Sequence, residues 1–101
     1  MNITAEEAKQ IMDTEEGYII LDVRTQEEYD QGHIPGAILI CHEEIAEKAE
    51  KVLTDKEQLI LVYCRSGRRS KIAAEALVEL GYTNIKEFGG IIDWPYEVEK
   101  P

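Results

Sequence analysis

Three apolar runs, each with helical periodicity after it, constrain this chain most strongly. They are GYIILDV at 17–23, HIPGAILI at 33–40 and QLILVYC at 58–64. Each is short, rich in β-branched or aromatic residues, and bounded by glycine, proline or polar residues, which reads as strand rather than helix. None alternates apolar with polar, so both faces of each strand must be covered. Between them lie segments of helical period. ITAEEAKQIM opens the chain, with Thr4 and Glu7 at the spacing of a capping box. TQEEYDQG at 25–32 repeats that spacing with Thr25 and Glu28 and stops on Gly32. EEIAEKAEKVL at 43–53 carries apolar residues at 45, 46, 49, 52 and 53. RSKIAAEALVELG at 69–81 puts Ile72, Ala73, Ala76, Leu77 and Leu80 on one face and ends at Gly81. NIKEF at 84–88 is a weak last strand, and GGIIDWPYEVEK at 89–100 predicts turns and a short terminal helix. Thr54 and Glu57 also have the box spacing, but the next apolar run leaves room for one turn at most. Strands alternating with helices predict an α/β layer fold around a parallel sheet.

The 101 residues form one domain, 1–101, on this reading. A net charge of −10 argues against nucleic acid as a partner, because phosphate binding rests on a basic surface. Two cysteines make no disulfide framework and fit a reduced, cytoplasmic setting. The start MNITAEEAKQ has neither a basic nor an apolar signal region, and no run is long enough for a membrane span, so neither is expected. The two cysteines and two histidines match no zinc spacing, so no metal is expected.

Against this acidic background, Arg65, Arg68, Arg69 and Lys71 place four of eleven basic residues within seven positions, next to Cys64. Cys64 ends a strand, and a helix starts near Arg69 or Ser70. In parallel sheets, ligands bind beyond the carboxyl ends of the strands, where Asp22, Arg24 and Cys41 also fall. Backbone amides of the intervening CRSGR can turn inward as an anion-binding nest. The helix N-terminus adds positive charge, and Gly67 allows the backbone angles of a tight cradle. A thiol there favours its thiolate. A cysteine ending a buried strand is ordinarily an inert small hydrophobe; the arginines, the glycine and the helix start weigh against that here.

Two chemistries remain open for such a thiolate: attack on phosphorus, or attack on sulfane sulfur. The tyrosine phosphatase loop runs cysteine, five residues, arginine. Here Arg69 comes one position early and Ser70 stands where that arginine would. The shorter loop makes a bowl better sized for one sulfur atom than for a phosphate.

CRSGRR resembles the active-site loop of the rhodanese family. LDVRTQEEYDQGHIPGA at 21–37 resembles the family's first signature, and GGIIDW at 89–94 its closing motif. The motifs come in family order and span residues 21 to 94. The resemblance implies a three-layer fold with a five-stranded parallel sheet and helices on both faces. It implies Cys64 as nucleophile and persulfide carrier, with the amides of Arg65, Ser66, Gly67, Arg68 and Arg69 cradling the sulfur. A small anionic donor such as thiosulfate, a thiol or cyanide acceptor, and a sulfur-accepting protein are the implied partners; no cofactor is implied, and a monomer is expected. The alternative is a non-catalytic rhodanese module for protein binding or redox sensing, with a phosphatase or arsenate reductase behind it. Some thiosulfate-specialised members carry a cation at the loop's third position, where this chain has Ser66, which leaves a persulfide donor as plausible as thiosulfate.

Asp22 and Arg24 are expected to brace the loop. His33 reads as a hydrogen-bonded turn residue rather than a base. Cys41 reads as a partly buried thiol two strands from Cys64 rather than a resolving thiol. Phe88 and Trp94 read as core or lid residues.

Overall fold

A computed structural model describes residues 2–100 of the chain. In chain order the elements are α1 (Ala5–Thr14), β1 (Ile19–Asp22), α2 (Gln26–Gln31), β2 (Ile38–Leu39), α3 (Ile45–Val52), β3 (Ile60–Cys64), α4 (Arg68–Glu79) and β4 (Ile85–Gly90). The strands form one parallel sheet in the order β2-β1-β3-β4. β3 is central and all five of its residues are buried, as the unbroken apolar run requires.

The pleat sends alternate residues to opposite cores. Leu21, Val62 and Cys64 face a cluster completed by Ala49 and Leu53 of the α3 region and by Ala73 and Leu77 of α4. Ile20, Leu61 and Tyr63 face the other, with Ala8 of α1, Phe88 and Trp94. Helices on one face and α1 with the C-terminal segment on the other make three layers. Both capping boxes form. Thr4 Oγ1 accepts from the Glu7 amide at 3.0 Å and Glu7 Oε1 from the Thr4 amide at 2.9 Å. Thr25 and Glu28 do the same at 3.2 and 3.1 Å. Each cap is worth about 1 kcal/mol.

Several expectations are corrected. Among the described residues the sheet has four strands, not five. Beside β4, Asn2 makes a single parallel bridge to Glu87, and the Ile3 amide donates to the Glu87 carbonyl at 2.9 Å. The Thr4 cap then turns the chain into α1, which stops pairing after Ile3. The run at 33–40 yields only Ile38–Leu39 as strand, and the helix at 43–53 begins as a 3-10 turn over His42–Glu44. Among the described residues no terminal helix forms beyond the 3-10 turn Ile91–Asp93. Pro95 holds the preceding Trp94 extended, at φ −87° and ψ 108°, and the chain runs on to pair Glu99 with His33. At 54–57 the turn is capped by Asp55, whose Oδ1 accepts from the Glu57 amide at 2.9 Å. No helix among the described residues is long and apolar enough to cross a membrane.

Candidate active site

β3 delivers Cys64 to the carboxyl edge of the sheet, where its side chain is 1% exposed. The chain then turns through Arg65, Ser66 and Gly67 into α4. Gly67 is the N-cap of α4 with φ +106°, a left-handed conformation that glycine adopts without penalty. This bend brings the Gly67 amide back to donate to Cys64 Sγ at 3.0 Å. Burial pushes the thiol's pKa up, but the Ser70 hydroxyl and the amides of Ser70, Gly67 and Ser66 outweigh it, and the net direction is below the ordinary cysteine value. Hydrogen bonds to the charged form favour that form.

The loop is also held from outside. The Ile92 amide donates to the Arg65 carbonyl at 3.1 Å, which ties the loop to the 3-10 turn after β4. Gly90, paired in register with Cys64, lies so close that a Cβ on it would fall 1.9 Å from the same carbonyl oxygen. One extra residue on β4 between the Val62–Glu87 and Cys64–Gly90 pairs forms a bulge there.

The three arginines do different things. Arg65 and Arg68 are exposed, and with Lys71 they form no ion pair among the described residues. Arg69 is held by Glu28, with Nη1 to Oε1 at 2.7 Å and Nη2 to Oε2 at 2.9 Å. This bidentate pair ties α4 to α2 and compensates the Arg69 charge. Arg69 holds the Glu28 carboxyl down to about 2, from an ordinary 4.5. A group with a lowered folded-state value stabilises above its unfolded value and loses that contribution as pH falls through the folded one. Both side chains are a quarter exposed, so solvent screening limits the pair to about 1 kcal/mol. Glu28→Gln should therefore cost about that much in urea unfolding near neutral pH. The difference from wild type should shrink below about pH 4.5 and vanish below about pH 2. A difference that persists at that acid limit would show that the ion pair is not its origin.

Asp22 and Arg24 lie at the end of β1, both buried, at 0% and 5% exposure. Arg24 Nη2 donates to Asp22 Oδ2 at 2.7 Å and to the Gly32 carbonyl at 2.7 Å. The Tyr63 hydroxyl donates to Asp22 Oδ2 at 2.6 Å and accepts from the Ile34 amide at 3.1 Å. The network joins β1, β3 and the turn after α2 one residue short of Cys64. A groove of about 460 Å³ beside it is lined by Arg24, Glu28, Arg65, Trp94 and Tyr96. His33 stacks on Tyr29 with ring centroids 3.8 Å apart, and its nitrogens face the Tyr29 carbonyl at 3.0 Å and Glu99 at 3.3 Å. Cys41 and Cys64 are free thiols, and Cys41 Sγ sits 4.0 Å from His42 Nδ1. Phe88 and Trp94 are buried beneath Tyr63.

Sequence reasoning gave no role in the site to Ser70 or Glu87, and met Gly90 and Ile92 only within the motif GGIIDW. Ser70 and Glu87 are both buried, and the Ser70 hydroxyl donates to Glu87 Oε1 at 2.7 Å. The available signal was an acidic residue inside the short run NIKEF.

A family model described as Rhodanese-like domain matches residues 4–95. Thiosulfate sulfurtransferase PspE of Escherichia coli is 42% identical over 73 residues, covering 72% of this chain and 70% of that protein. Putative sulfur carrier protein YrkF of Bacillus subtilis is 38% identical over 98 residues, covering 96% of this chain but 52% of that protein. A solved structure described as rhodanese with anions from E. coli aligns with a TM-score of 0.77 and 38% identity, covering 83% of this chain and 99% of that one.

Proposed function

This chain belongs to the rhodanese-like domain family, and on that premise we propose that it is a sulfurtransferase whose Cys64 carries the sulfur as a persulfide. The observation that carries the reading is the buried Cys64 thiol with the Gly67 amide 3.0 Å from its sulfur, inside a loop whose other amides also favour the thiolate. A relative named thiosulfate sulfurtransferase supports the reaction class. The Cys64 thiolate attacks the outer sulfur of thiosulfate or of a persulfide. A Cys64 S–S bond forms, and the donor's S–S bond breaks with its electron pair leaving on sulfite or on the donor thiolate. An acceptor thiolate or cyanide then attacks the outer sulfur, and the electron pair returns to Cys64. Each step is balanced without an external oxidant or metal.

Arg65, Arg68 and Lys71 supply the uncompensated positive charge that draws an anionic donor, since Arg69 is engaged by Glu28. Electrostatic attraction of this kind acts mainly on encounter rate and weakens with salt. A relative named putative sulfur carrier protein supports a protein-borne acceptor. The test is intact-protein mass spectrometry before and after thiosulfate, and separately after a low-molecular-weight persulfide. The expected result is a gain of one sulfur located on the peptide containing Cys64. No gain from either donor, with the protein folded, would overturn the reading and leave a binding module.

A further inference from the structure

Glu87 is an unusual residue for its place. It sits in β4 opposite Val62, on the face that packs against α4, and is 4% exposed. Its neighbours in that layer are Val62, Ala73 and Ile85. A carboxylate in such a layer needs hydrogen bonds to be tolerated, and Oε1 receives two. The Ser70 hydroxyl donates at 2.7 Å and the Gly89 amide at 3.0 Å. The same oxygen lies 3.9 Å from where a Cβ on Gly67 would be, so the sulfur-cradling loop rests on it.

Ser70 stands between this acid and the thiol. Its hydroxyl is completely buried and carries a single proton. The neighbouring acceptors are Glu87 Oε1 at 2.7 Å, the Gly67 carbonyl at 3.0 Å and the Gly89 carbonyl at 3.4 Å. The Cys64 thiolate draws on the same hydroxyl, which favours its charged form. Two anions therefore compete for one proton. The charge-assisted bond to a carboxylate oxygen is the shorter and stronger choice.

We propose that Glu87 is a positioning residue for the Cys64 thiolate and acts through Ser70: its carboxyl group competes with the sulfur for the Ser70 hydroxyl proton and weakens that hydroxyl's hold on the thiolate. The backbone amides then carry more of the thiolate's stabilisation, and the Ser70 hydroxyl less. Rigid amides leave the sulfur more basic, and a more basic thiolate is the stronger nucleophile. The other charged groups near Glu87 are Arg68 and Lys71 of α4, which line the same 480 Å³ groove. Lys86 precedes it on β4, and Cys64 faces it from β3. Asn2 and Ile3, which pack on the open side, bring no charge. The inference rests on Cys64 being the reactive thiol of the proposed function.

The test is the pH profile of Cys64 alkylation by iodoacetamide, which reads the thiol directly and does not depend on sulfur transfer. Glu87→Gln keeps the shape, removes the charge and frees Ser70 to donate to sulfur. Its midpoint should move down by about one pH unit, a tenfold change in the ionisation equilibrium. In a Ser70→Ala background the same substitution should move the midpoint by much less. Glu87→Asp provides an independent reading if Ser70→Ala does not fold. It keeps the charge but draws the carboxylate back from Ser70, so its midpoint should move down as well. An unmoved midpoint in Glu87→Gln, an equal shift with and without the Ser70 hydroxyl, or a wild-type profile in Glu87→Asp would overturn the proposal. The expected shifts in a protein that accepts sulfur from no donor would leave Glu87 its role and remove the transferase reading.

Discussion

Cys64→Ser is expected to abolish sulfur transfer while leaving the protein folded. The chemistry needs an atom that is ionised near neutral pH and can form and break an S–S bond. A serine oxygen does neither: its proton stays on, and it has no route to a persulfide. The loop's amides do not compensate, because they stabilise an anion that serine does not form. The change in stability should be small. Cys64 is buried but sits at the rim of its core cluster with the Gly67 amide aimed at it. A hydroxyl in the same place can accept that hydrogen bond, so the cost should stay within about 1–2 kcal/mol. The check has two parts, turnover with thiosulfate and with a persulfide, and a thermal melt. Loss of turnover together with loss of the melt would say only that the fold had failed. Turnover retained in the folded variant would move the nucleophile elsewhere, with Cys41 the other thiol to test. Cys41→Ser is the matching control and should turn over at the wild-type rate.

The parts of this site legible in the sequence are those set by near neighbours. The two capping boxes close over three residues and appear where Thr4 and Thr25 predict them. The run QLILVYC is continuous, so its burial on both faces of a parallel sheet followed from its composition, and with it the position of Cys64 at the carboxyl edge. The Gly67 conformation belongs to a loop of four residues and was equally readable. What escaped depends on residues far apart in the chain. Arg69 reads as a free cation until Glu28, 41 residues earlier, takes both its nitrogens. Ser70 and Glu87 are 17 residues apart and meet only because α4 lies across β4. β2 shows the same limit from the other side. HIPGAILI has the composition of a full strand, yet only Ile38 and Leu39 pair in register with β1, because the turn at Pro35 and Gly36 takes up its first half and a 3-10 turn begins at His42. The fifth strand was a family expectation rather than a residue reading, and the early cap at Thr4 leaves room for one bridge only.

Gly90→Ala is the second large effect, and its origin is contact alone. Gly90 has φ −143° and ψ 159°, an extended conformation open to any residue. The added methyl would lie 1.9 Å from the Arg65 carbonyl oxygen and 2.5 Å from the Ser66 nitrogen. Both are backbone atoms, so no side-chain rotation relieves the overlap, and the loop must move by an ångström or more. Overpacking of this kind costs about 1–3 kcal/mol in stability, occasionally more. The larger loss should be in turnover, since displacements of about 1 Å in a reactive group can cost a hundredfold. Gly89→Ala separates this from a general intolerance of the Gly-Gly pair. Gly89 has φ +88° but open space around its Cβ direction. That substitution should cost about 1 kcal/mol in backbone strain and leave the turnover of the folded protein near wild type. Urea unfolding and kcat/KM on both variants decide the matter. A Gly90→Ala protein with wild-type kcat/KM would mean that the loop yields without losing its grip on the sulfur. The opposite result would locate that grip partly in β4: the amides that hold the Cys64 thiolate are aimed by a strand that comes so close only because Gly90 has no side chain.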